Sequence, residues 1–381
     1  MNPVLMMNTP EFRNECALAL EGAAGRVPGL TAFVGLDGFV DQIIAVVDER
    51  RDAREYSRIP TIASLAARIG AAAGRSTNVE LVTTLTKLGG NGPIMANALA
   101  AFGVKVTYLG ALGYPTLDPV FDEFAKSAEV HSIADPGRTD ALEFEDGKLL
   151  FGKMFPLAEV TWENIEKSGK RALVEKHMAQ SSLVGFVNWT MLPFMSDIWE
   201  AMQREVCPKL NGQGARRKMF FDLADPEKRP IHERERALKL ITSFQTHFDC
   251  ILGLNEKEAF EIGEVLGLGG YDHGRAGLQA LTGAIRKHVP IDTLVVHPTR
   301  YALACSGEAV DVVDGPFVAK PLITTGAGDH FNSGFVLGKL LGLSNPQALL
   351  CGVSTSGYYV RTGRSPSVAD LLGMMRDWPK S

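Results

Sequence analysis

The chain has 381 residues, of which 45% are hydrophobic, so it can bury a substantial core in one large domain or two ordinary ones. A formal net charge of −5 leaves no basic footprint and argues against nucleic acid as a partner, while a local phosphate site stays open. Cys16, Cys207, Cys250, Cys305 and Cys351 are scattered without CxxC or Cys/His spacing, and no apolar run approaches the length of a membrane span, so a soluble, cytoplasmic protein without disulfides, zinc or membrane partner is expected.

Thr9-Pro10-Glu11 reads as a helix start, and the Ala/Leu spacing after it predicts a helix up to the Gly25–Gly29 break. Residues 30–47, LTAFVGLDGFVDQIIAVV, predict a buried strand, a turn at 35–38 and a second β-rich run. Asp37 and Asp41 then stand where the first strand ends, the edge at which open α/β sheets hold ligands. A carboxylate there can accept hydrogen bonds from neighbouring sugar hydroxyls, although Asp37 also suits a plain turn. Residues 48–60 read as a charged, solvated face and 61–74 as a helix. Residues 79–113 give strand, glycine turn, helix, glycine break and strand, which predicts a parallel βαβ unit. Its turn, Gly89-Gly90-Asn91-Gly92, brings bare backbone and one amide side chain towards a ligand.

Alternation around Glu145-Asp146-Gly147 predicts a hairpin over 139–155, and helical spacing follows from Trp162 to about Gln180. The strand LVGFVNWT, 183–190, ends at Asn188, Trp189 and Thr190; Trp189 is either a core aromatic or a platform for a sugar face. Another strand leads to Asp222 and Asp225. In CILGLNEKEAF, 250–260, Asn255 and Glu258 lie one helical turn apart, a spacing that suits a hydrated Mg²⁺ as well as a capping box. Residues 292–305 predict strand, turn and strand around His297-Pro298-Thr299-Arg300. In TTGAGDHFNSGFVLGKLL, 324–341, a glycine loop runs into a helix whose first N–H groups have no intrahelical acceptor, which makes an anion site. Asp329 in that cradle is a helix cap or a base beside a phosphoryl group.

The string TTGAGDHFNSG resembles the C-terminal signature of the ribokinase-like (PfkB) carbohydrate kinases, and the 79–113 stretch resembles their N-terminal one. That resemblance implies a single domain over 1–381: a Rossmann-type three-layer α/β/α sandwich with a mostly parallel central sheet. A small β-sheet lid from about 42–60 and 139–158 would be inserted in it and would pair with a second subunit's lid as a homodimer. The implied activity is ATP-dependent phosphorylation of a primary hydroxyl on a sugar or sugar-like molecule. By position Asp329 is the base, and Gly326, Ala327 and Gly328 form the anion hole. Asp37, Asp41, Gly89, Gly90, Asn91 and Asn188 hold the acceptor. Thr299, Arg300, Thr325 and Ser354 meet the nucleotide, and Asn255 and Glu258 hold Mg²⁺ through water. The chain departs from the family at Ile323, in place of an Asp, at Ile94, in place of an Asn, and in the 297–301 turn, which lacks the usual glycines. These departures keep open a catalytically weak sugar- or nucleoside-binding member, or a nucleoside kinase. A dinucleotide-dependent oxidoreductase is disfavoured, because no GxGxxG opens a helix after the first strand.

Overall fold

The computed structural model describes residues 8–210 and 216–379. In chain order its strands begin with β1 (Thr31–Leu36), β2 (Phe39–Arg50), β3 (Tyr56–Arg58), β4 (Leu81–Gly89), β5 (Lys105–Ala111), β6 (Glu129–Ala134) and β7 (Gly137–Phe144). They continue with β8 (Gly147–Lys153), β9 (Leu183–Phe186), β10 (Lys218–Asp222), β11 (Asp249–Leu254), β12 (Thr293–Val296), β13 (Tyr301–Cys305) and β14 (Val310–Asp314). The large sheet has the order β14-β13-β12-β11-β10-β9-β1-β5-β6, parallel except for the two antiparallel pairings of β13.

Side-chain alternation along the central strands builds a core on each face. Phe33, Met219, Phe221, Leu252 and Leu254 pack on one side beneath helices that include Met195–Glu205 and Ile231–Phe244. Val34, Phe220, Ile251 and Val295 pack on the other, beneath Pro10–Ala24, Asn91–Ala101, Ala327–Leu340 and Asn345–Thr362. Such strands are buried on both faces, which is why they read as continuous apolar runs. The five cysteines are buried and free. No described helix is long and apolar enough to cross a membrane.

The smaller sheet is organised on β2, which pairs with β3 and β4 antiparallel and with β7 parallel, β8 completing it on β7. Its far face packs Ile44, Val46, Leu142 and Phe144 under Leu65 of the helix Ile62–Ala71. β4 corrects the sequence reading. Instead of opening a parallel βαβ unit it lies antiparallel to β2, and only the helix Asn91–Ala101 and β5 belong to the main layer. Its Thr- and Lys-bearing sequence leaves most of the strand exposed, as a strand with one solvated face should be.

The helix Ala327–Leu340 is buried without interruption from Asp329 to Gly338. It lies close against Asn345–Thr362 because Gly334 and Gly338 have no side chains. A Cβ on Gly334 would meet Thr355 Oγ1 at 2.1 Å, and one on Gly338 would meet Ala348 Cα at 2.7 Å.

Candidate active site

Five parallel strands bring residues at or just past their carboxyl ends to one edge of the large sheet: β1 Asp37, β9 Asn188, β10 Asp222, β11 Asn255 and β12 His297. This is the carboxyl edge at which α/β sheets place ligands. A cavity of about 420 Å³ opens there, between the large sheet and the small one. The small sheet lines it by cross-strand rows, since directly paired residues point to the same face. One row is Lys87, Asp41, Thr139 and Gly152; the next is Ile43, Ala141 and Leu150, with Leu85 at its end outside the wall.

Asp41 and Asp329 both line this cavity, and Asn91 lies between the segments that carry them. Asn91 Nδ2 donates to Asp329 Oδ1 at 3.0 Å. Burial pushes the Asp329 carboxyl well above its ordinary range, and the neighbouring Asp222 carboxylate adds to the rise. Asp222 is raised in the same way by burial and then by Glu258, although Asn332 Nδ2 donates to it at 2.9 Å. Asp41 is raised by burial against the opposing pull of Lys87. Lys87 is held below its usual value by burial, with Asp41 working against the fall.

Asp37 sits elsewhere than expected: it lies under the turn, fully buried, and does not line the cavity wall. Its Oδ1 accepts the Gly92 N–H at 2.9 Å and its Oδ2 accepts Asn188 Nδ2 at 2.7 Å. Burial raises its titration to about 6 in spite of those bonds. The glycine turn fits round these two carboxylates, because a Cβ on Gly89 would fall 2.4 Å from the Asp41 carboxyl and one on Gly90 2.7 Å from Asp37 Oδ2. Gly90 and Asn91 line the cavity, and Gly89 backs Asp41. Asn188 lines it too, in a left-handed backbone conformation shared with Ala224 and Asp225. Among the described residues these are the non-glycine positions with positive φ, and all of them line this one cavity. Trp189 does not face a ligand; it is buried, donates through Nε1 to Ser196 Oγ, and lies under the Arg229 guanidinium.

The glycine loop enters its helix through Gly326, whose φ of 90° favours glycine. Ile94, the departure from the family's Asn, packs beneath it, with Cγ2 3.3 Å from where a Gly326 Cβ would be. The anion hole differs from expectation in one member. The Ala327 N–H is already donated to Thr324 O at 3.1 Å, whereas among the described residues the Gly326 and Gly328 N–H groups have no backbone acceptor. Two residues that sequence reasoning missed hold the loop. His330 Nδ1 meets the Gly326 carbonyl at 2.7 Å and its Nε2 meets Ser365 Oγ at 2.9 Å. A carbonyl can only accept, so the proton is on Nδ1 and Ser365 donates to Nε2. Tyr359 stacks on that imidazole at 3.6 Å and donates through its hydroxyl to Thr325 O at 2.9 Å. Burial lowers the His330 titration to about 4, which keeps the ring in this neutral form.

A second cavity of about 400 Å³ adjoins the first. Thr299 lines it, but Arg300 does not: its exposed guanidinium lies 3.7 Å over the Phe317 ring. Ser354 is also misplaced, being fully buried, because Val353, Ser356, Gly357 and Val360 form the helix face that reaches the cavity and Ser354 is turned away from it. Thr325 lines the first cavity instead. Asn255 and Glu258 form a reciprocal capping box and also line the first cavity. Glu258 Oε1 and Oε2 accept the N–H groups of Asp225 and Asn255 at 2.9 and 2.8 Å. Among the described residues no cluster of His, Cys, Asp or Glu could hold a metal ion directly. The remaining oxygen lone pairs therefore fit a hydrated cation, held through water.

A family model described as prokaryotic ketohexokinase matches residues 12–378. The ketohexokinase of Haloferax volcanii is 27% identical over 353 residues, covering 92% of each chain. Among solved structures, Arabidopsis thaliana ribokinase complexed with ribose and ATP aligns with a TM-score of 0.62 at 14% identity, over 91% of this chain and 98% of that one. Escherichia coli phosphofructokinase-2 in complex with substrates and products aligns with a TM-score of 0.61, also at 14% identity and over the same shares. A carbohydrate kinase from Agrobacterium tumefaciens gives 0.61 at 18% identity over 91% and 97%. The α/β architecture of a large, mostly parallel sheet with a smaller one is the ribokinase-like fold.

Proposed function

This chain belongs to the prokaryotic ketohexokinase family, and from that premise we propose that it transfers the γ-phosphoryl group of ATP to a primary hydroxyl of a ketohexose, with Asp329 as general base. It is a sugar kinase, a phosphotransferase acting on an alcohol group. The observation that carries the proposed mechanism is the meeting of Asp329, Asn91 and Asp41 at one cavity, with the free Gly326 and Gly328 amides beside the carboxylate.

Asp41, Gly90, Asn91 and Asn188 bind and orient the sugar, Asp41 accepting from its hydroxyls. Asp329 takes the proton of the attacking hydroxyl as its oxygen bonds to the γ-phosphorus and the bond to the β-phosphate bridging oxygen breaks. The Gly326 and Gly328 N–H groups then stabilise charge on the transferred oxygens. The nucleotide base lies in the second cavity against the apolar face made by Val353, Gly357 and Val360. Asn255 and Glu258 would hold the water shell of a Mg²⁺ ion, which when bound would supply charge neutralisation at the phosphates. The small sheet acts as lid and pairs with a second copy's lid, since Leu85 and Leu150 are more than half exposed on its cavity-facing row.

Asp329→Asn tests the base role. Turnover with ketohexose and Mg·ATP should fall by about 10²- to 10⁴-fold while nucleotide binding persists. Wild-type turnover by that variant in an ADP-release assay would remove Asp329 from the role.

A further inference from the structure

The two cavities share three wall residues: Asn255, His297 and Gly328. A phosphoryl group passing from a nucleotide in one cavity to a hydroxyl in the other must cross this junction. Gly328 brings a free amide to it. His297, the first residue after β12, brings an imidazole. Its backbone N–H is tied to Leu254 O at 3.0 Å, so the end of β11 fixes the position of the ring. The ring packs on Phe331 with centroids 4.8 Å apart, and its Cε1 lies 3.2 Å from where a Cβ on Gly328 would be. Yet among the described residues no other residue offers a hydrogen-bond partner to either ring nitrogen, and the half-buried side chain lines both cavities. A polar ring locked by packing, with its polar atoms left free at a junction of two ligand cavities, is placed to bind a group that arrives there.

We propose that His297 is a catalytic residue: its neutral imidazole N–H donates a hydrogen bond to an equatorial oxygen of the phosphoryl group during transfer from ATP to the sugar. This rests on the kinase reading above. The histidine keeps its proton throughout; the hydroxyl proton goes to Asp329, and the electron pair of the broken bond leaves with ADP. The nearby Arg300 lines neither cavity, its guanidinium lying over Phe317 instead. Burial holds the His297 titration down at about 4 against a weaker opposing pull from its own carbonyl, so the ring meets the phosphates uncharged. A preorganised donor at that junction acts where charge develops, as an amide of an anion hole does.

The test uses the full chain with Mg·ATP and a panel of D-fructose and its ketohexose epimers. His297→Ala should lower kcat by about 10²-fold with the acceptor KM within roughly threefold. His297→Asn or His297→Gln, which retain an N–H donor, should recover about tenfold of that loss, a rescue that a purely packing role would not give. In the ¹⁵N-histidine-labelled wild type, the ring resonance that His297→Asn removes should shift with Mg·ADP, aluminium fluoride and ketohexose together, and not with Mg·ADP alone. A His297→Ala kcat within roughly threefold of an active wild type, or an unmoved ring resonance, would overturn the proposal and leave the kinase reading standing. Absence of wild-type turnover across the panel would overturn the kinase reading first, and this role with it.

Discussion

Burial and the neighbouring Asp222 raise the proton affinity of Asp329, a shift that suits the base role proposed for it. The same surroundings cost stability once the group ionises. Because its titration in the folded chain lies above the ordinary 3.8, the stability it contributes is fully present below that value and is lost as pH rises through the raised one. Asp329→Asn cannot ionise. It should therefore melt above the wild type at about pH 8 and together with it at about pH 3, as thermal denaturation at both would show; coincident melting at the higher pH would contradict the raised titration. The residue scale also shows what a single sequence hides. Asp329, Asp41 and Asn91 were legible because each lies in a recognisable string. Asp222 could have been placed by its position at the end of a core strand. Lys87 and His330 had no local signal, since Lys87 reaches the cavity only through its pairing with Asp41, and His330 acquires its role from Ser365 and Tyr359.

Among the elements, the helix Ala327–Leu340 carries both Asp329 and one free amide, and its position is set by the helix it lies against. Gly334→Ala should push the pair apart, since the new methyl would fall 2.1 Å from Thr355 Oγ1 and 2.6 Å from Cys351 O. Overpacking of this kind costs about 1–3 kcal/mol, to be read as a lowered denaturation midpoint. Adding Thr355→Ala should recover part of it, and an unchanged midpoint in the single variant would show that the helices yield freely. Elements were legible where local pattern decides them, as in the strand and capping box at Asn255 and Glu258. They were misread where partner choice decides. The strand–turn–helix–strand order of 79–113 is that of a βαβ unit, and nothing within it says that β4 pairs with β2 instead. Ser354 failed on a finer point of the same kind, because one residue along a helix turns a side chain by about 100°.

For the molecule as a whole, the carboxyl ends of the central strands and the rows of the small sheet enclose one cavity between two sheets, so its wall residues come from both. The exposed Leu85 and Leu150 bear on assembly. If these lids pair, Leu85→Lys together with Leu150→Lys should halve the mass measured by light scattering; a wild type that is already monomeric would refute the pairing. The α/β class and the position of the site at the strand ends were legible in the alternation of apolar runs with glycine turns. The close approach of the two sheets at their joint was not, and it leaves no room for one methyl group. Between β1 and β2 the chain crosses from one sheet to the other over Asp37 and Gly38 alone, and a Cβ on Gly38 would strike Ala111 O at 1.9 Å. A side chain there would act as a wedge, tilting the small sheet about its root and widening the span between Asp41 and Asp329. The distance between those two carboxyls is thus gauged at a point that touches neither of them.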